Sequence, residues 1–295
     1  MANIKTVGVV GAGLMGSGIA QVVAQAGYSV VVREVEQRFL DKGLKAVEGQ
    51  LQRAVEKGRM TVEEKAKLLG RIRWTLNLED LKGIDLIIEA IVEDLALKQE
   101  LYRALDGLCP PATIFVSNTS SISIIAMASV TGRADRFAGL HFFNPVPVMK
   151  LVEVIRSIRT SEETYRTLFD FAKSLGKEPV TTKDNCGFIV NRLLLPYLLD
   201  AIRALEAGVG TVEDIDKAMT LGCNHPMGPF TLADFVGLDT TYFIANVMFE
   251  EYRELRYAPP PLLRKMVVAG YHGRKSGRGF YDYSGPTPTV TDLGL

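Results

Sequence analysis

The stretch TVGVVGAGLMGSGIAQVVAQ, close to the start of the chain, leaves little freedom of fold. A short β-branched run at 7–10 stops at three glycines spaced G-x-G-x-x-G, and Ile19, Val22, Val23 and Ala26 follow at helical spacing. Residues 28–32 form a second β-branched run, with Glu34 just beyond it and eighteen residues past Gly16. Strand, glycine loop, helix and strand in that order make a βαβ unit whose loop suits a dinucleotide. Gly11 permits the tight turn, Gly13 lets the backbone approach a diphosphate, and Gly16 allows close helix packing; with Leu14 and Met15 they are the expected cofactor loop. Glu34 would accept hydrogen bonds from the ribose 2′-hydroxyl and repel a 2′-phosphate, which favours NAD over NADP, although Arg33 beside it could serve that phosphate.

Beyond this unit the pattern changes. Residues 37–70 read as a charged amphipathic helical arm, with Thr61 and Glu64 as a capping box that opens a second helix before Gly70. Strand signals resume at 84–88, 114–117 and 137–142, with helical stretches at 95–108 and around 122–129 between them, so the expected sheet is parallel and doubly wound. Residues 150–155 return after a short proline loop and are expected as an antiparallel addition at the sheet edge. After Asp184 strand signals stop. A buried helix is expected from Phe188 to Leu205, a next one with Thr211 as its N-cap and Asp214 as a first-turn acid, and another with Thr231 as a candidate cap. The resulting fold class is α/β: an N-terminal Rossmann-like, mostly parallel sheet domain at 1–185, with its arm at about 37–70, then a smaller all-helical domain at 186–295. The tail from Ser284 reads as a loosely ordered terminus.

The stretch GLHFFNPVPVMKLVEV carries the chemistry. His141 and Glu153 stand equally far from Pro147, each in an apolar run where burial is expected, so a reversal there brings them face to face. A histidine with an orienting carboxylate is a base held in its proton-accepting form. SNTSSISI at 117–124 follows a strand and is crowded with hydroxyls, which suit a helix N-cap as well as a ligand.

Composition excludes several classes. Lys+Arg 34 balances Asp+Glu 34, so no global field favours nucleic acid or an anionic membrane surface. Nothing approaches the ~20 uninterrupted apolar residues of a membrane span. Three scattered cysteines, Cys109, Cys186 and Cys223, fit neither a disulfide framework nor a metal site, and a reducing cytoplasm is the simplest home.

GAGLMGSGIAQ, IIEAIVED, SNTSS, GLHFFNPVPVMKLVEV, GFIVNRLL, HPMGPF and GRKSGRGFYDY stand in the order found in 3-hydroxyacyl-CoA dehydrogenases. The chain resembles that family over about residues 3–283, most closely its short-chain bacterial members. The resemblance implies a two-domain homodimer, joined through the helical domain, that oxidises an (S)-3-hydroxyacyl-CoA thioester with NAD; for a short-chain member the pair is (S)-3-hydroxybutyryl-CoA and acetoacetyl-CoA. It implies His141 as the catalytic histidine, Glu153 as its partner, and Ser120 and Asn191 as residues that hold and polarise the substrate. It further implies cofactor contacts from Glu93, Lys98, Ser120, Asn144 and Lys275, and a contact of Lys57 with the anionic CoA end. Gln50 replaces a serine that longer-chain enzymes use on the arm. The competing expectations are a broader-chain enzyme of fatty acid β-oxidation and a non-catalytic dinucleotide-binding structural protein; the complete set of Ser120, His141, Glu153 and Asn191 speaks against the latter.

Overall fold

The computed structural model describes residues 4–294; the outermost ends of the two expected domains, 1–3 and 295, lie outside the described residues. The chain divides into two compact units, one ending at Phe188 and one starting at Ile189.

The first unit is built on an eight-stranded sheet in the order β3-β2-β1-β4-β5-β6-β7-β8. Its strands are β1 (Thr6–Val10), β2 (Ser29–Arg33), β3 (Ile72–Thr75), β4 (Leu86–Glu89), β5 (Ile114–Ser117), β6 (Phe137–Phe142), β7 (Leu151–Arg156) and β8 (Glu178–Lys183). All pairs are parallel except β6 with β7. Alternate residues enter two apolar layers: Val7, Val9, Leu86, Ile88, Ile114 and Val116 one of them, Val10, Ile87 and Phe115 the other. Burial on both sides is why these strands read as continuous apolar runs. Gly8 is small because a Cβ there would stand 2.6 Å from Ile87 Cδ1.

The helices of this unit are α1 (Leu14–Gln25), α2 (Gln37–Glu56), α3 (Val62–Leu69), α4 (Leu95–Leu108), α5 (Ile124–Ala128) and α6 (Glu162–Ser174). Thr61 and Glu64 close the capping box of α3 in both directions. The arm is anchored along most of its length. Leu40, Gly43, Val47 and Leu51, at helical spacing, are the buried residues of α2. Gly43 lies so near the glycine loop that a Cβ there would be 2.4 Å from the Ala12 carbonyl oxygen.

Two sequence expectations are corrected here, and two strands, β3 and β8, have no counterpart in the sequence pattern. The antiparallel strand β7 is not the edge, because β8 pairs parallel outside it, with Glu153 in register with Val180. The sequence of β8, EPVTTK, is half-exposed and carries Pro179, as an edge strand tolerates and an apolar-run search overlooks. Strand β3, only four residues with Arg73 in the middle, was likewise invisible to that search. No serine side chain caps α5: Asp184 does so, its carboxylate accepting from the N–H groups of Ile124 and Ile125 and from the Ser123 hydroxyl.

The second unit contains α7 (Val190–Glu206), α8 (Val212–Gly222), α9 (Pro229–Val236), α10 (Leu238–Tyr252) and α11 (Pro261–Val268). Thr211 caps α8 by accepting from Asp214 N–H at 3.1 Å. Thr231 is not a cap: α9 starts after Gly228, and the Thr231 hydroxyl donates to Asp216 at 2.7 Å. The unit is not purely helical either. A ribbon of β9 (Tyr281–Asp282) and β10 (Thr289–Val290) folds the tail back, and Thr291 beyond it is buried.

Two buried carboxylates hold this ribbon. Asp216 accepts from Phe230 N–H, Thr231 and the Tyr281 hydroxyl, while Asp234 accepts from the N–H groups of Phe280 and Tyr281 and from the Tyr283 hydroxyl. Gly279 and Gly273 are glycines for the same reason, since a Cβ at either would lie within 2.3 Å of Asp234 atoms. Asp234→Ala orphans one buried and one partly buried backbone donor and a hydroxyl. Urea unfolding should show it less stable by roughly 3–5 kcal/mol.

Candidate active site

The glycine loop follows β1. Gly11 has φ +103° and donates its N–H to the Arg33 carbonyl at 2.9 Å, which ties the loop to the end of β2. A Cβ at Gly16 would stand 1.9 Å from the Gly11 carbonyl oxygen, whereas one at Gly13 would meet nothing within 4 Å. The space above Gly13 is therefore free for a ligand, and α1 carries no acid in its first turn, so its N-terminal N–H groups face that space uncompensated. Leu14 is exposed and Met15 half-buried. Glu34 turns to the loop: Oε2 accepts from Ala12 N–H at 2.8 Å and Oε1 from Val35 N–H at 2.7 Å.

Gly11, Gly13, Leu14, Arg33 and Glu34 share a cavity of about 900 Å³ whose far wall is made by α2 and α4, with Lys42 and Gln50 among its lining. The carboxylate held on the loop, the open space over Gly13 and the free helix N-terminus fit a dinucleotide. Lys57 is exposed at the end of α2 and does not line this cavity.

The second half of the site sits at the ends of β4, β5 and β6. Antiparallel pairing of β6 with β7 sets His141 directly opposite Glu153. His141 is 5% exposed and Glu153 fully buried, and Nδ1 lies 2.7 Å from Glu153 Oε2. An ionised carboxylate only accepts hydrogen bonds, so the ring proton belongs on Nδ1 and the Nε2 lone pair is left available. Nε2 faces the Ser120 hydroxyl at 3.1 Å. Phe143 and Phe188 flank the ring, with centroids 4.5 and 5.6 Å away. The loop between the two strands is pinned by Lys177, whose ammonium donates to the carbonyls of Val146 and Met149; burial lowers the pKa of this lysine. Asn144 is exposed in that loop.

Ser120 itself is held from behind. Glu93 Oε1 accepts from Ser120 N–H at 2.7 Å and from the Thr119 hydroxyl at 2.8 Å. Thr119 in turn accepts from the N–H groups of Ser121 and Ile122. Lys98 is buried with its ammonium between Glu89 and Glu93, at 2.6 and 3.1 Å. Sequence reasoning missed Glu89 and Thr119. The signal for Glu89 was present: an acid inside the apolar run LIIEAIV, the same pattern that singled out Glu153 in LVEVI.

The two site residues expected from the second unit lie there. Asn191 is half-buried near the start of α7. Lys275 pairs with Asp239, Nζ to Oδ2 at 2.6 Å. The other histidines have local partners: His225 Nδ1 is 3.1 Å from the Tyr197 hydroxyl and His272 Nε2 is 3.2 Å from the Val267 carbonyl. Among the described residues no group of three His, Cys, Asp or Glu side chains could hold a metal ion, and no helix is long and apolar enough to cross a membrane.

The family described as 3-hydroxyacyl-CoA dehydrogenase, NAD binding domain, matches residues 6–185, and its C-terminal domain matches residues 187–283. The 3-hydroxybutyryl-CoA dehydrogenase of Mycobacterium tuberculosis strain H37Rv is 51% identical over 282 residues, covering 95% of this chain and 99% of that protein. The human mitochondrial hydroxyacyl-coenzyme A dehydrogenase is 49% identical, covering 95% of this chain and 91% of the relative. Among solved structures, the (S)-3-hydroxybutyryl-CoA dehydrogenase of Ralstonia eutropha superposes with a TM-score of 0.92 at 47% identity, covering 96% of this chain and all of that one. With a dinucleotide loop, a mostly parallel sheet and helices after it, matched by family over nearly its whole length, the chain belongs to the 3-hydroxyacyl-CoA dehydrogenases.

Proposed function

We propose that this protein interconverts (S)-3-hydroxybutyryl-CoA and acetoacetyl-CoA with NAD, and that His141 is the base. The observation that carries the reading is the line Ser120, His141, Glu153, with a buried carboxylate on Nδ1 and a hydroxyl on Nε2. Held by the glycine loop and Glu34, NAD would supply the two-electron acceptor for the hydride of C3. In the oxidation His141 Nε2 takes the hydroxyl proton as the C3–O bond becomes a carbonyl and the C3–H electron pair departs. Glu153 keeps the acceptor tautomer and stabilises the imidazolium that results. Ser120 donates to the same substrate oxygen, and Asn191 holds the thioester carbonyl. In reduction the imidazolium returns the proton.

Names carried by relatives about half identical to this chain support the substrate class, and the mycobacterial and Ralstonia names support the four-carbon acid. The human relative's broader name supports a longer chain instead. Initial rates on a C4 to C16 series of 3-ketoacyl-CoAs decide between them: a maximum at C4 supports the short-chain reading, and a maximum at C8 or above replaces it. Lys57, Glu93, Lys98, Asn144 and Lys275 are proposed to serve the CoA and cofactor ends as the family resemblance implies.

Glu34 is proposed to read the ribose, with NAD as the preferred cofactor. Glu34→Ala should lower the ratio of kcat/KM for NADH over NADPH by about tenfold or more, the worth of one charge-assisted hydrogen bond plus relief of repulsion. An unchanged ratio assigns the reading to another group, with Arg33 in the same cavity. A homodimer through the second unit fits its exposed Leu193, Leu221, Phe235 and Phe243. The three free cysteines fit a reducing cytoplasm.

A further inference from the structure

Behind Ser120 lies a buried charged cluster that the acid-base step does not use. Glu89, at the end of β4 and in register with Ser117 of β5, is fully buried. Its Oε1 accepts from Lys98 Nζ at 2.6 Å and from Ile91 N–H at 2.7 Å, and its Oε2 accepts from the Ser117 hydroxyl at 2.6 Å. Lys98 also reaches Glu93 Oε2 at 3.1 Å, and Glu93 Oε1 holds Ser120 N–H. Ser120 Oγ then meets His141 Nε2. Two carboxylates share one ammonium, and two of the three charges, Glu89 and Lys98, are taken fully out of water, which is costly. Apolar side chains would fill the same space more cheaply, so stability alone does not explain the arrangement.

We propose that Glu89 is a positioning residue for the reaction: through Lys98 it sets the orientation of Glu93, hence the backbone of Ser120 against His141, and its charge helps to stabilise the imidazolium. This rests on the reading of His141 as the base. The ionisable groups linked to that ring by side-chain contacts are Glu153 on β7 and, behind Ser120, Glu93 in the loop after β4, Glu89 at the end of β4, and Lys98 and Tyr102 on α4. Glu89 and Lys98 are the pair whose balance can be changed without touching a group in contact with the imidazole.

Glu89→Gln keeps the shape and removes the charge. Lys98 is then answered by Glu93 alone and draws that carboxylate away from Ser120 N–H. Turnover should fall about tenfold to a hundredfold, the effect of a small displacement at a reacting group. The KM for acetoacetyl-CoA should change less than about twofold, because the loss falls on the transition state. In the cofactor-free protein the imidazole titration of His141, followed by NMR and assigned with His141→Gln among only three histidines, should move to lower pH by about 1 unit, as expected for one negative charge lost about 10 Å away at an effective dielectric near 20. The sign follows because a nearby anion favours the charged ring.

The double variant Glu89→Gln/Lys98→Met removes the fully buried ion pair and leaves the partly exposed Glu93 still accepting from Ser120 N–H and the Thr119 hydroxyl, and it covers the case in which the single variant does not fold. It removes one charge of each sign, so its His141 midpoint should return to the wild-type value while kcat at saturating NADH, where any loss of a Lys98 cofactor contact no longer counts, stays low. Wild-type turnover in the double variant, or an unmoved midpoint in Glu89→Gln, overturns the proposal. Active His141→Gln would instead overturn the base assignment, and the NMR titration would still report whether the Glu89 charge reaches that ring.

Discussion

His141→Gln should bind NADH as the wild type does and turn over acetoacetyl-CoA about 10²–10⁴-fold more slowly, the usual worth of a positioned acid-base group. Glutamine can keep a hydrogen bond to Ser120 but has no lone pair that gains or loses a proton near neutral pH. Glu153→Gln should cost nearly as much for a different reason. Its amide can present either an acceptor or a donor to Nδ1, so the ring is no longer held with Nε2 free, and the imidazolium loses its counter-charge. Stopped-flow rates with acetoacetyl-CoA and fluorescence titration with NADH separate the two effects. Near wild-type turnover in His141→Gln would sink the assignment, however well the geometry fits.

The other large effect is expected at the loop, where two glycines with different surroundings give different outcomes. Gly16→Ala forces a Cβ to within 1.9 Å of the Gly11 carbonyl oxygen, a backbone atom that cannot swing aside. The loop must open, so NADH affinity should fall about 100-fold or more and the melting temperature should drop with it, since overpacking costs roughly 1–3 kcal/mol or more. Gly13→Ala meets nothing within 4 Å and should leave the melting temperature unchanged. Its methyl group nonetheless occupies the path by which a diphosphate nears the backbone, so NADH affinity should still fall about tenfold or more. Calorimetric titration with NADH beside thermal unfolding of both variants tests this. Undiminished NADH binding in Gly13→Ala would mean that the cofactor lies elsewhere.

The parallel part of the sheet could be read in advance because its central strands are buried on both sides and therefore announce themselves as apolar runs. Strands β3 and β8 could not, because one is very short and the other is an edge with polar and proline residues. The tail was misread for a related reason: Thr289 and Val290 pair with Tyr281 and Asp282 only because Asp234 and Asp216 hold that segment from distant helices. The cap of α5 shows the same thing, since Asp184 stands sixty residues away in sequence from Ile124.

Local pattern by itself determined the glycine loop, the acid that follows it, and the reversal that faces His141 with Glu153, because each depends on short-range spacing and on the steric limits of a few backbone positions. Only the tertiary structure decided what stands behind Ser120. Glu89, Lys98 and Glu93 come together because β4, the loop after it and α4 fold against β5, and a buried ion cluster of that kind has no periodic signature in the chain. Hydrophobic periodicity records which faces turn away from water; it carries no information on which buried charges will meet.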